Sequence, residues 1–211
     1  MSENQSVTQA ATPLRRQPVQ QRSARRVERM LDASAELLDE IGYEGLTTTL
    51  IAKRAGVAVG SLYQFFPDKR AVVQALTQRN LERFIAAVNE RLSSLDPRHW
   101  WDVVDSLLDI YLTMHRQVPG FSTVHFGDVV DLQLLDEGRT NNRVIIDALT
   151  GLLTAHVNVP PEEATLPISI AVEAADGLLK YAFRLDPQGD QAVIDETKAL
   201  IKGYLAGKFG E

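Results

Sequence analysis

The fold is decided by residues 41–76, IGYEGLTTTLIAKRAGVAVGSLYQFFPDKRAVVQAL. Thr47 can accept a hydrogen bond from the free amides of a first helical turn, which predicts a short helix over Thr48–Ala55. Gly56 ends this helix, and the residues that follow predict a second short helix over Val59–Phe65. Two short helices joined by a tight, glycine-containing turn are typical of a helix-turn-helix motif.

The segments on both sides of this motif predict longer helices. Upstream, apolar residues recur at i, i+4 and i+7 from Val27 to Ile41, which predicts a supporting helix that begins near residue 23 and that Gly42 ends. Downstream, an amphipathic helix is predicted from Pro67 to about Ser94. The motif therefore follows one supporting helix and precedes a long one.

Charge is unevenly distributed along the 211 residues, whose net charge is −6. Residues 1–80 have 11 basic and 8 acidic side chains, a net charge of +3, whereas residues 81–211 have 11 basic and 20 acidic ones, a net charge of −9. This asymmetry indicates two modules with different partners; the alternative is chance combined with a basic tail. Because phosphate binding requires positive charge, the first module is the candidate for a nucleic-acid partner.

The N-terminal residues are rich in Gln, Ser, Thr and Pro and have almost no large apolar side chains. Such a segment cannot bury enough surface to offset its ordering entropy, so residues 1–22 are predicted to be a disordered basic arm. Its arginines could follow a phosphate backbone or enter a minor groove. A solubilising tail is the alternative interpretation.

The predicted second helix divides into a core side and an outer side. Leu62 and Phe66 lie four residues apart and are assigned to the core. The outer residues are then Val59, Gly60, Ser61, Gln64 and Phe65. Glutamine can form two hydrogen bonds to adenine, a serine hydroxyl bonds most base edges, and apolar groups contact the thymine methyl, so this side has the chemistry to read bases. An exposed Phe65 is explained best by contact with a partner.

Hydroxyl and ammonium groups flank this helix. The Tyr63 hydroxyl suits a phosphate oxygen. Lys69 places positive charge beside the free amides that begin the next helix, and both attract phosphate. Residues 47–49 supply three threonine hydroxyls on the opposite shoulder. These groups favour DNA binding over the alternative of a plain structural hairpin.

Residues of this stretch also occur at the fixed offsets of a known family pattern: Gly42, Thr47, Ile51-Ala52, Ala55-Gly56-Val57, Gly60-x-Leu62-Tyr63, Phe66 and Lys69. Over about residues 23–76 the sequence therefore resembles the tetracycline-repressor (TetR-like) family of bacterial regulators. It departs from the family at Ala58, where a Ser or Thr N-cap is common, and at Thr49, where many members have a basic side chain. The missing cap costs about 0.5–2 kcal/mol of helix stability.

The resemblance implies an all-α homodimer with two domains. It implies an N-terminal three-helix helix-turn-helix DNA-binding domain over residues 23–70 and a C-terminal helical bundle for ligand binding and dimerisation over residues 71–211. The residues that it assigns to phosphates are Thr47, Thr48, Tyr63 and Lys69. Those that it assigns to bases or the groove wall are Thr49, Val59, Gly60, Ser61, Gln64 and Phe65.

The C-terminal region predicts helices at about residues 97–117, 142–157, 166–185 and 190–208. The third of these is apolar nearly all round, which indicates burial on several sides, and a second subunit is the simplest additional neighbour. We predict a two-fold, four-helix interface made by the last two helices of each chain. The residues assigned to it are Ile168, Val172, Ala175, Leu179, Ile201, Tyr204 and Leu205.

Aromatic and apolar residues with a few polar groups are concentrated between residues 100 and 126, and such a set can line a ligand cavity. The candidate lining residues are Trp100, Trp101, Tyr111, Met114, His115, Phe121, His125 and Phe126. Ordinary core aromatics are the alternative. His115 and His125 have no carboxylate at ligand spacing, so no metal site is expected.

Several functional classes are excluded by what the sequence lacks. Without cysteine there are no disulfides, thiolate nucleophiles or thiolate metal sites. No apolar run approaches the ~18 residues of a membrane span, and the first 30 residues have no apolar core of a secretory signal, so we expect a cytoplasmic protein. The sequence has no nucleophile elbow, dinucleotide-binding turn, P-loop or His-Glu-x-x-His motif, so neither an enzyme nor a bound cofactor is expected.

These expectations combine into one function. The chain is predicted to be a DNA-binding transcriptional regulator, most simply a repressor that binds a palindromic operator as a homodimer and is released by a small, largely apolar effector. The alternative is a helical ligand-binding or protein-interaction module without sequence-specific DNA binding.

Overall fold

The computed structural model of the chain describes residues 21–95, 99–122, 141–156 and 160–210. Within these ranges the chain forms eight α-helices and no strand, which confirms the all-α prediction. The helices are α1 Gln21–Gly45, α2 Thr48–Ala55, α3 Val59–Phe65, α4 Lys69–Leu95, α5 Trp100–Gln117, α6 Asn141–His156, α7 Pro161–Leu185 and α8 Gln191–Phe209. The predicted N-terminal arm lies outside the described residues as far as residue 20.

The described residues divide into two compact units, one that ends at Arg79 and one that begins at Asn80. This division falls inside α4, whereas the boundary expected after residue 70 falls at the start of that helix. α4 therefore begins in the first unit and continues into the second.

The core of the first unit is formed by α1, α2, α3 and the first part of α4. Its completely buried side chains include Met30, Leu38, Leu46, Ile51, Leu62, Phe66 and Leu76. Gly42 breaks the regular part of α1, as predicted, because its φ of 66° lies in a region that other residues rarely adopt. The chain can therefore turn sharply towards α2.

Two arginines link helices of this unit through ion pairs. Arg54 of α2 forms a two-pronged ion pair with Glu40 at 2.7 and 2.8 Å and a further contact with Glu36 at 3.1 Å. The Arg54 hydrogen bonds lower the pKa of Glu40, and the two glutamates raise the pKa of Arg54. Arg79 of α4 contacts Glu28 at 2.9 Å and Asp32 at 2.7 Å. Both sets of contacts end on α1, so α1 holds α2 and α4 in place.

The second unit contains the rest of α4 and α5 to α8. α5 begins at Trp100, later than predicted, with a capping box in which the His99 ring accepts from the Trp101 amide and Asp102 accepts from the His99 amide. α7 begins earlier than predicted, at Pro161, because the first helical position tolerates a residue without an amide hydrogen.

A lysine links α8 to α5 within this unit. The Lys198 ammonium lies 2.8 Å from Asp105 and 2.6 Å from Asp109. Partial burial opposes its charge, but the hydrogen bonds to the two carboxylates outweigh that effect, so the pKa of Lys198 is raised. The ammonium is therefore held charged between the two helices.

Neither a membrane span nor a metal centre is found in the part of the chain that the structure describes. No helix there is long and apolar enough to cross a bilayer, and no three potential ligating side chains come together there. His125, one of the histidines considered above, lies outside that part.

Candidate nucleic-acid interface and ligand cavity

The helix-turn-helix is formed by α2, a tight turn and α3, and both helices have the predicted bounds. The Thr47 hydroxyl accepts from the Leu50 amide at 3.2 Å, which caps α2 as expected. Gly56 adopts a left-handed φ of 65° and ends α2, and the Val57 amide then donates to the Ala52 carbonyl at 3.0 Å. Ala58 provides no side-chain cap for α3.

The outer side of α3 is narrower than the sequence predicted. Gly60, Tyr63 and Gln64 are exposed, and Val59 and Ser61 are half-buried. Phe65 is only 6% exposed, so the prediction that it lies on the outer side was wrong. The reason is helical geometry, because Phe65 follows Leu62 by three residues and shares its buried face. Phe65 therefore belongs to the core and not to the DNA-contact set.

Hydroxyl groups from α2 and α3 come together beside this outer side. The Thr48 hydroxyl and the Tyr63 hydroxyl are 3.0 Å apart and form a hydrogen bond. Thr47 and Thr49 are exposed on either side of Thr48. The predicted phosphate contacts on the two helices therefore form one polar edge.

Lys69 is held in position at the start of α4. Its ammonium donates to the Tyr43 carbonyl at 3.0 Å and lies 4.5 Å from the centre of the Tyr43 ring. An ammonium has three donors, so this bond leaves capacity for a phosphate. Asp68 accepts from the Ala71 amide at 2.9 Å, so one amide of the first turn of α4 is already capped. The Lys69 ammonium adds positive charge beside this turn.

Arg29 lies beside the helix-turn-helix, although the sequence pattern of α1 did not predict it as a DNA contact. One of its terminal nitrogens lies 4.0 Å from the position that a Cβ on Gly56 would occupy, which places the guanidinium beside the turn of the motif. Arg22, Arg26 and Arg29 are all exposed on α1. Their spacing of four and three residues puts them on one face of the helix, and this was the signal that could have identified Arg29.

The second unit contains two adjoining cavities of about 80 and 280 Å³. Phe84 of α4, Leu107 of α5 and Leu149 of α6 line both of them. The smaller cavity is also lined by Tyr111 of α5 and Asp176 of α7. Five helices that are far apart in the sequence, α4 to α8, therefore contribute to the lining.

Tyr111 is the only predicted lining residue that is found in the described lining of these two cavities. Trp100 packs against Phe209 and donates to the Gly210 carbonyl at 2.9 Å. Trp101 is half-buried beneath the Lys202 ammonium. Three further predicted residues, Met114, His115 and Phe121, are buried in the core of the unit. The His115 ring stacks on the Phe183 ring. His125 and Phe126 lie outside the described residues.

The residues predicted to form the dimer interface are directed into their own unit. Ile168, Ala175, Leu179, Ile201 and Leu205 are buried there, and Val172 and Tyr204 are half-buried against the same core. The sequence alone did not show that five of the seven predicted residues are buried within their own chain, and the interface itself stays a prediction. The exposed large apolar side chains of α7 and α8 are instead Leu166, Ile170, Tyr181, Leu185 and Leu200.

Two family models match the chain. Residues 30–76 match the model described as bacterial regulatory proteins, tetR family. Residues 98–209, more than half of the chain, match the model described as tetracyclin repressor-like, C-terminal domain. The two matches lie on either side of the middle of α4.

A solved structure and two curated proteins agree with these matches. The crystal structure of a TetR-family transcriptional regulator from Streptomyces coelicolor is 40% identical, with a TM-score of 0.76, and the match covers 87% of this chain and 99% of that one. The uncharacterized regulator YvdT of Bacillus subtilis is 30% identical over 82 residues, 39% of this chain and 41% of that protein. The repressor KstR of Rhodococcus jostii is 41% identical over 58 residues, 28% of this chain and 27% of that protein.

The match to each of these two curated proteins spans less than half of its length. The C-terminal family model spans most of the second unit, and the match to the Streptomyces structure covers 87% of this chain. The relatives are regulators of transcription and not enzymes, which agrees with the expectation from the sequence. The chain therefore belongs to the tetR family of bacterial regulatory proteins and is a DNA-binding transcriptional regulator.

Proposed function

We propose that this regulator is a homodimeric repressor that binds a palindromic operator and leaves it when a small apolar molecule enters the cavities of the second unit. The observation that carries the proposal is the outer side of α3, where Gly60, Tyr63 and Gln64 are exposed on a helix-turn-helix whose other face is buried. In this motif the second helix enters the major groove, so these side chains would meet the DNA.

The proposed roles divide between base reading and backbone binding. Gln64 would form the base contacts, since its amide can donate and accept in the plane of an adenine. Thr47, Thr48, Tyr63 and Lys69 would bind phosphates and fix the position of α3. Val59, Gly60 and Ser61 would lie against the groove, with Thr49 at its edge.

The exposed apolar face of α7 and α8 supports a homodimer. Leu166, Ile170, Tyr181 and Leu185 of α7 lie within one side of the helix at 3.6 residues per turn. Gly177 lies on the same side, with open space where a side chain would be. A monomer rarely leaves such a patch in water, and a second copy of the chain would cover it with the same patch.

Continuity of α4 supports a response to ligand. This helix begins at the proposed phosphate contact Lys69 and provides Phe84, Ile85 and Val88 to the cavity lining. A molecule in the cavities would push on the same helix that carries the phosphate contact. An effector that binds more tightly when α4 is displaced from its DNA-bound position would thereby lower the affinity for DNA.

Substitutions of Gln64 and Lys69 test the division of roles. Gln64→Ala removes a base contact, so we expect the affinity for the preferred operator to fall by about 1–3 kcal/mol while the affinity for unrelated duplexes changes little. Lys69→Ala removes a phosphate contact, so we expect all duplexes to bind more weakly, with a salt slope reduced by about 1 per chain. The measurement is a fluorescence titration of operator and unrelated duplexes at several salt concentrations.

Gln64→Glu serves as a matched control, because it keeps the size of the side chain but places a carboxylate in the groove. We expect it to weaken binding to every duplex. The proposed roles are wrong if Gln64→Ala and Lys69→Ala reduce sequence preference to the same extent.

A further inference from the structure

Asp176 is the charged residue in the described lining of the smaller cavity. The other residues lining that cavity are apolar, apart from Tyr111. The Asp176 side chain is only 15% exposed. A carboxylate in such surroundings loses much of its hydration, which opposes folding unless something compensates.

Lys180 supplies part of that compensation. Its ammonium lies 2.9 Å from Oδ2 of Asp176, one helical turn further along α7. Ion pairs with this spacing stabilise exposed helices only slightly. Burial of the carboxylate adds a desolvation cost, which reduces the net stabilisation from the pair. Stability therefore does not explain why a carboxylate occupies this position.

The pair nevertheless leaves Asp176 able to bind a ligand. A carboxylate has two oxygens with about four acceptor positions, and one ammonium does not use them all. A hydroxyl that enters the cavity can donate to the carboxylate, and such charge-assisted hydrogen bonds are stronger than those between neutral groups.

We infer that the molecule bound in this cavity is uncharged and apolar, with one hydroxyl that donates a hydrogen bond to Asp176. The inference rests on the proposed function, which makes these cavities the effector site. An anionic head group would meet the like charge of Asp176, which is unfavourable in a poorly hydrated site. A cationic head group would compete for Asp176 with the Lys180 ammonium, which lies 2.9 Å from Oδ2 and already balances much of the carboxylate charge.

Three molecules with the same eight-carbon chain separate these possibilities. At pH 7, 1-octanol is neutral, octanoate is an anion and octylammonium is a cation. Binding to the full-length protein without DNA is measured by isothermal titration calorimetry. We expect 1-octanol to bind at least about tenfold more tightly than octanoate and more tightly than octylammonium. Equal or weaker binding of 1-octanol relative to either charged molecule, or no binding of 1-octanol, overturns the inference.

Asp176→Asn tests whether the carboxylate causes this preference. The variant removes the negative charge from the cavity lining, so we expect octanoate to gain affinity and the preference for 1-octanol to fall by about tenfold. Glu196→Gln is the matched control, since it removes an exposed carboxylate from α8, and it should leave the preference unchanged. An unchanged preference in a folded Asp176→Asn variant, as judged by its thermal melting, overturns the inference.

The same titrations distinguish this inference from the proposed function. If 1-octanol binds with the expected preference but does not weaken operator binding, the assignment of the ligand class stands and the proposed release of DNA is wrong.

Discussion

Substitution of Ile170 and Leu185 by glutamate is expected to convert the proposed dimer into a folded monomer. Both side chains are about half exposed in the single chain, at 46% and 54%, so their replacement should change the stability of the monomer by no more than about 0.5 kcal/mol. In a two-fold interface each substitution occurs twice, which places four carboxylates on a surface that must lose its water. Each buried charge without a partner costs several kcal/mol, so the dimer should not form at micromolar concentration.

Sedimentation equilibrium gives the oligomeric state, and circular dichroism shows whether the helices persist. Ile41→Glu is the matched control, because Ile41 is 43% exposed but lies on α1 in the first unit. This control should sediment as the wild type does. The double variant should also bind the operator about 100-fold or more weakly, because two DNA-reading heads are no longer linked. A double variant that remains dimeric would show that this face of α7 is not the interface.

Phe65→Ala is expected to destabilise the protein by about 3–5 kcal/mol, because it removes a large side chain from the buried face of α3 and leaves a cavity in the core. For a chain of this length, that loss corresponds to a fall in Tm on the order of 10 °C. Gln64→Ala removes the neighbouring side chain on the exposed face and should change stability by no more than about 0.5 kcal/mol. Differential scanning calorimetry of the two variants makes the comparison.

Phe65→Leu completes this test, because it keeps most of the buried volume. We expect it to recover most of the stability and the operator affinity that Phe65→Ala loses. The opposite pattern would be a Phe65→Ala protein that melts at the wild-type temperature but has lost its sequence preference. That result would place Phe65 in the groove and contradict the assignment to the core.

The sequence predicted the helix-turn-helix because its determinants are local. Thr47 caps α2 and Gly56 ends it through backbone preferences that act within one turn, and the structure confirms both. Phe65 was assigned to the wrong side because a helix of seven residues contains fewer than two full turns. The positions of Leu62 and Phe66 alone therefore did not show that the buried face of α3 also includes Phe65.

The cavities and the exposed face of α7 depend on contacts between distant parts of the chain. Phe84 and Asp176 meet at a cavity although 92 positions separate them in the numbering. α7 is apolar on several sides, so Ile168 and Ile170 have equivalent sequence patterns, but one is buried and the other is 46% exposed. Only the packing of α6 and α8 against α7 distinguishes them.

Selection from a random duplex library, followed by measurement of how many chains bind the selected duplex, tests the central claim most directly. The full-length protein should enrich a palindromic sequence whose half-sites lie about 34–36 Å apart, one helical turn, or a multiple of that distance. Two chains should bind each duplex, and the logarithm of the binding constant should fall linearly with the logarithm of salt concentration. A library without any enriched sequence, or a selected duplex that holds a single chain, would contradict a homodimeric operator-binding regulator.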